Sequence, residues 1–158
     1  MFRLQLFVPT ALAVLVLAAP RGLSAQLNAS IGAGVAVPAG DLADVTGTGF
    51  TVRGQVGPSL GLIEAYVQGG WSSFPGKDPD AGSVEGEDAD IWHAGIGTRL
   101  GFGILWIGAS ALYSFGDTPD DGVGIAPEVG VAVGPIEVVA DYLFGDTNWA
   151  AIRAGFRF

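Results

Sequence analysis

Hydrophobic positions along residues 26–158 recur at every second residue, not at the three-to-four spacing of a helix. The final stretch, "AAIRAGFRF", shows the pattern plainly. Ala150, Ile152, Ala154, Phe156 and Phe158 form one stripe, and Arg153 and Arg157 lie between them. Alternation of this kind is the signature of a β-strand with chemically different faces. Eight such segments are expected, at 27–37, 49–56, 62–71, 91–102, 104–115, 123–133, 136–144 and 149–158. Frequent interior glycine argues against helix, since each costs about 1 kcal/mol relative to alanine there.

The links between segments alternate in length. "GPSLG", "GFG" and "VGP" are short turns. "PAGDLADVTGT", "SSFPGKDPDAGSVEGEDAD", "GDTPDDG" and "GDTN" are mostly longer and acidic. Sorting each strand by parity separates the chemistry. One face carries Ile31, Val35, Ile63, Ile96, Ile107, Val129 and Ile152, with aromatic residues toward the strand ends. Phe50, Trp71, Trp92, Tyr113, Phe115, Tyr142 and Phe144 fall near the long loops, and Phe102, Phe156 and Phe158 near the short turns. The other face carries Arg53, Glu64, His93, Arg99, Glu128, Glu137, Asp141, Arg153 and Arg157 among many small residues.

Parity alone does not say which face meets solvent. A soluble, lipocalin-like barrel would turn the charged face outward. Three features favour the opposite. The charged face has no lysine and is crowded with glycine. Its four arginines balance its four carboxylates, as an enclosed interior requires. Two aromatic belts flank an aliphatic band, which is what membrane interfaces select. Strands of this length suit a tilted bilayer crossing of about 9–11 residues. The expectation is an all-β, eight-stranded antiparallel up-and-down transmembrane β-barrel, with the last strand paired to the first because lipid tolerates no unpaired backbone.

The first 25 residues stand apart. Arg3 precedes a long apolar run that ends in Ser24 and Ala25 before Gln26. This reads as a secretory signal peptide over 1–25, cleaved after Ala25, with the barrel over 26–158. An uncleaved membrane anchor is the alternative. The formal charge of the full chain is −9, and loss of Arg3 and Arg21 takes it to −11. Twelve acidic residues and Lys77 in the long loops account for all of that, so the lumen contributes nothing net. Absence of cysteine excludes disulfides and thiolate chemistry. An acidic chain argues against nucleic-acid binding.

A leader, eight alternating strands and a terminal "GFRF" resemble the small outer-membrane β-barrel family of the OmpA/OmpX kind. The resemblance covers 26–158 and lies in pattern, not in a diagnostic motif. It departs in that no periplasmic peptidoglycan-binding domain follows. It implies residence in the outer membrane of a Gram-negative-type envelope, contact with outer-membrane lipid and lipopolysaccharide, and a monomeric barrel. It also implies that Phe156 and Phe158 serve as the signal read by the barrel-assembly machinery.

Candidate chemistry is sparse. His93 shares the lumen face with Ser110 and Ser114, so the serine–histidine–carboxylate set of a lipid-modifying barrel enzyme is an alternative, but a polar role within the lumen is the expected one. Eight strands leave an interior that side chains fill, and Trp106 and Leu112 narrow it further, though a thin pore is an alternative. The acidic loop "KDPDAGSVEGEDAD" could bind calcium, yet Ala89 stands where an EF-hand needs glutamate. A solvated acidic loop is the plainer account. "GIGTRLG" at 95–101 lies within a strand and lacks phosphate-loop geometry. "NAS" at 28–30 matches a glycosylation sequon and has no assigned role. No catalytic residue, cofactor or metal ligand is expected. The function expected is non-catalytic, either structural or surface-binding through the acidic loops.

Overall fold

The computed structural model describes residues 26–77, 86–117 and 122–158. Its strands are β1 (Gln26–Ala39), β2 (Gly49–Leu60), β3 (Ile63–Phe74), β4 (Ala89–Phe102), β5 (Leu105–Gly116), β6 (Gly122–Val133), β7 (Ile136–Leu143) and β8 (Asn148–Arg157). Each pairs antiparallel with its neighbours in sequence, and β8 returns to pair with β1. The sheet is therefore a closed eight-stranded up-and-down barrel without a free edge. Past the assigned end of β8, the Phe158 N–H donates to the Ala29 carbonyl at 2.7 Å and the Ala29 N–H to the Phe158 carbonyl at 3.1 Å. The seam is thus hydrogen-bonded to the last residue.

Register settles which face is inside. Arg53 stands opposite Gly32 and Gly70, Glu64 opposite Arg99, and Glu128 opposite Asp141. These side chains are buried or nearly so, whereas Ile31, Ile96, Ile107, Ile125 and Ile152 are all more than half exposed. The polarity is that of a transmembrane barrel, with the apolar stripe outward and the charges enclosed. Among the described strand residues of outward parity, the one charge is Asp90, at the long-loop rim of β4.

The short turns are tighter than the sequence suggests. Pro58 and Ser59 belong to β2, and Leu60 pairs directly with Ile63. Phe102 pairs with Leu105, and Val133 with Ile136. Each hairpin therefore has a two-residue loop, with Gly61, Gly103 and Gly134 first at φ 68°, 72° and 60°. A positive φ at the first loop position matches the twist of the flanking strands and strains any residue but glycine.

The lumen is layered. Its short-turn half is charged, while its long-loop half holds an apolar cluster of Leu42, Phe74, Ile91, Leu112, Leu143 and Trp149 with small alanines, beside buried Thr51, Ser72, His93 and Ser114. Leu42 comes from α1 (Asp41–Val45), a one-turn helix inside the first long loop. This helix was not expected, because five residues are too few to show a helical period. The loop is tied to its neighbour by a Thr46–Gly76 bridge, by the Gly47 N–H donating to Pro75 at 2.7 Å, and by Lys77 donating to the Ala43 carbonyl. Leu42 thus lays loop one over the apolar cluster.

Glycines in the wall seat the largest lumen side chains. The ring of Tyr66 occupies the space a Cβ at Gly97 would fill, and Trp106 does the same at Gly130 and His93 at Gly70. An eight-stranded barrel has too little cross-section for aromatic rings on a fully substituted wall. Here the ring and the missing side chain share one volume.

Candidate functional site in the barrel lumen

Eight charged residues from six strands meet inside the barrel, joined by six ion pairs that fall into two sets. The upper set, nearer the long loops, is Arg53, Glu128, Asp141 and Arg153. Arg53 donates to Glu128 at 3.1 Å and lies 3.4 Å from Asp141, which also receives Arg153. Tyr66 donates its hydroxyl to the other oxygen of Glu128 at 2.7 Å, and Arg153 reaches Thr51 at 3.4 Å. The lower set is Glu64, Arg99, Glu137 and Arg157. Arg99 spans two carboxylates, Glu64 at 2.6 Å and Glu137 at 3.0 Å, and Arg157 meets Glu64 at 2.5 Å.

Each set has two guanidiniums and two carboxylates, so each is neutral on its own. Local neutrality matters because an uncompensated charge in so enclosed a space costs several kcal/mol. The strand origins explain why it arises. Arg99 and Glu64 are a directly paired couple on β3 and β4, and Glu128 and Asp141 are directly paired on β6 and β7. Two carboxylates side by side would repel, and Arg53 from across the lumen lies between them. The Arg99 guanidinium also sits over Trp106, 4.8 Å from the ring centroid, and 5.7 Å from Tyr66. With its amide oxygen turned toward Arg99, the orientation its neighbours favour, Gln55 accepts from that residue at 2.8 Å.

His93 faces the lumen but takes no part in the ion pairs. Its ring packs against Trp149, with centroids 5.9 Å apart, beneath the apolar cluster. His93 Nδ1, Ser110 Oγ and Ser114 Oγ are buried, and each lacks a hydrogen-bond partner. The three elements of a serine–histidine–carboxylate set are thus not assembled: neither hydroxyl bonds the imidazole, and no carboxylate orients it. Among the described residues, no group of three or more histidine, aspartate or glutamate side chains is placed to hold a metal ion.

The aromatic residues singled out on the apolar parity all lie outside. Phe50, Trp92, Phe102, Tyr113, Phe115, Phe144, Phe156 and Phe158 are exposed, and Trp71 and Tyr142 are half-buried against neighbours. Trp71 meets Trp92 at 6.4 Å, Tyr113 meets Phe115 at 6.1 Å, and Tyr142 meets Phe144 at 4.3 Å, so six of the seven upper-belt aromatics form ring pairs. Of the acidic loop residues, Asp41, Asp44, Glu87, Asp88, Asp90, Asp117 and Asp146 stand at the long-loop end. Asp78, Asp80, Glu85, Asp120 and Asp121 lie outside the described residues.

Sequence reasoning placed Leu112 in the lumen but missed the rest of the apolar cluster. Phe74 and Trp149 lie on the lumen parity at the ends of β3 and β8, but polar residues dominate that parity elsewhere. Ile91 carried a usable signal, since it is two residues before His93 and must share its face.

No family model and no curated protein matches the chain. A solved structure described as the crystal structure of Neisserial surface protein A is similar, with a TM-score of 0.53 and 18% sequence identity. The match covers 84% of this chain and 97% of that one. At that identity the likeness is one of fold, and the fold shared is the closed eight-stranded antiparallel β-barrel.

Proposed function

We propose that this chain is an integral outer-membrane β-barrel, exported by a leader removed after Ala25, with a non-catalytic structural or surface-binding role. The observation that carries the proposal is the inverted polarity. An exterior without charge between two aromatic belts surrounds a lumen whose charges cancel within two closed sets. Such an exterior is tolerated in lipid and is an aggregation hazard in water. The similar solved structure is named a surface protein, which agrees with a part played at the long-loop end. There the acidic side chains form the solvated rim. A basic partner, or lipopolysaccharide bridged through cations, suits that charge. In this account outer-membrane lipid surrounds a monomer, and Phe156 and Phe158 present the assembly signal. A solute pore is the weaker reading, because the buried apolar cluster with Leu42 of loop one occupies the long-loop end of the lumen.

Refolding residues 26–158 into detergent micelles tests this directly. The expected product needs detergent for solubility, and its unboiled band runs faster on a gel than its boiled band, because a closed barrel resists unfolding by the gel detergent. A monodisperse protein in detergent-free buffer would overturn the membrane assignment.

A further inference from the structure

The short-turn end of the lumen opens into a cavity of about 310 Å³, walled by Ser59, Glu64, Arg99, Trp106 and Arg157 together with turn backbone. Its hydrogen-bonding capacity is unbalanced. Both oxygens of Glu64 are taken, one by Arg99 at 2.6 Å and the other by Arg157 at 2.5 Å and Asn28 at 3.1 Å. The guanidiniums are not exhausted. Each has five N–H donors. Arg99 spends its terminal nitrogens on Glu64, Glu137 and Gln55, and its remaining Nε is buried without an acceptor, so the accessible spare donors are those of Arg157. Arg157 uses a single nitrogen in its ion pair, and its side chain is 27% exposed. The wall thus holds two guanidiniums and one saturated carboxylate.

The surroundings add to the imbalance. The turns at 57–63, 100–105 and 131–136 contain no charged residue. Apart from the paired lumen groups, no charged side chain stands at this end among the described residues. The acidic residues that give the chain its net charge are at the opposite end, farther away than the about 8–10 Å over which salt leaves charges coupled. A pocket with spare guanidinium donors and turns free of charged side chains is matched by an oxyanion, whose two or three oxygens accept from the planar fork. Its volume lies at the lower end of the range for small-molecule sites, which is about 300–1,000 Å³.

We propose that the short-turn mouth of the barrel binds a small oxyanion, a carboxylate or a phosphate, held by Arg157 beside the Glu64–Arg99 pair. The site requires only the closed barrel and is independent of what the long loops do. The oxyanion has two possible sources, a free solute or the headgroup of a lipid in the adjoining leaflet.

The test uses residues 26–158 refolded in micelles with uncharged headgroups, titrated with inorganic phosphate against chloride at constant ionic strength. Backbone amide NMR signals of Gly61, Gly101 and Gly103 report on the mouth. Saturating shifts are expected. Arg157→Gln should weaken binding about tenfold, the loss of one charge-assisted hydrogen bond, and Arg157→Lys should retain part of it. Leu62 is 67% exposed at the rim and touches no ion pair. Leu62→Glu should also weaken binding by repulsion, so the test survives if Arg157→Gln fails to fold. Shifts that do not saturate, or that are equal in the wild type and Leu62→Glu, would overturn the site. Lipid nanodiscs of phosphatidylcholine with and without phosphatidic acid separate the sources. A headgroup ligand shifts the same amides and blocks free phosphate, whereas a solute ligand binds equally in both discs.

Discussion

Gly97 shows how much a single position can decide in a narrow barrel. The Tyr66 ring lies where a Gly97 side chain would be, and that placement delivers the Tyr66 hydroxyl to Glu128 at 2.7 Å. Gly97→Ala should therefore displace the ring, break this hydrogen bond and lower stability by about 1–3 kcal/mol, as overpacking does. Urea unfolding in micelles measures it. Gly101 lies four residues along the same strand, and its nearest neighbour to an added Cβ is the Leu62 carbonyl at 3.8 Å. Gly101→Ala should stay within about 0.5 kcal/mol of the wild type. An equal loss in both variants would mean that the cost is general to glycine in a strand and that the Tyr66 seat is immaterial. The glycine content is plain in the sequence, but which glycine receives which ring is a matter of cross-strand register, and that requires the pairing.

At the scale of elements, the barrel strands and the loop cover are held by different forces. Each strand bonds two neighbours along its length, while α1 is five residues long and anchored by Leu42 and a few loop hydrogen bonds. No barrel hydrogen bond passes through α1. Leu42→Ala should accordingly loosen loop one and leave the barrel intact, with faster protease cleavage within 40–48 and an unchanged barrel unfolding midpoint. A fall in the midpoint would mean that the apolar cluster is part of the barrel's cooperative unit. The strands themselves were legible because period-2 alternation is local and is repeated eight times. The cover was not, because a one-turn helix has no period to detect and its stability comes from docking Leu42 on residues distant in sequence.

The whole molecule depends on polarity opposite to that of a soluble barrel. Ile107 is 53% exposed near the middle of the lipid face, while Arg99 on the neighbouring strand is enclosed between carboxylates. Ile107→Arg should cost about 2–4 kcal/mol in a lipid bilayer, since a guanidinium near the midplane must be drawn out of water. Unfolding titrations in liposomes read this cost. A negligible change would show that the face meets water and that the barrel is inside out relative to this account. The two neutral ion-pair sets belong to the same scale, because four of their six pairs link strands that are not adjacent and exist only once the sheet has closed.

The sequence by itself determined the strand count, the alternation of short and long links, the parity of every strand and the zero net charge of the lumen face. These follow from patterns over a few residues and from composition, which need no knowledge of distant contacts. Tertiary structure alone decided which arginine meets which carboxylate, that the charges divide into an upper and a lower set, and that an apolar cluster gathers at the long-loop end of the lumen. It also decided that the short-turn mouth keeps unspent guanidinium donors. The physical reason is that these properties depend on the shear of the closed barrel, which sets the height at which side chains from opposite walls meet. Shear is a property of eight pairings taken together, and no single strand encodes it.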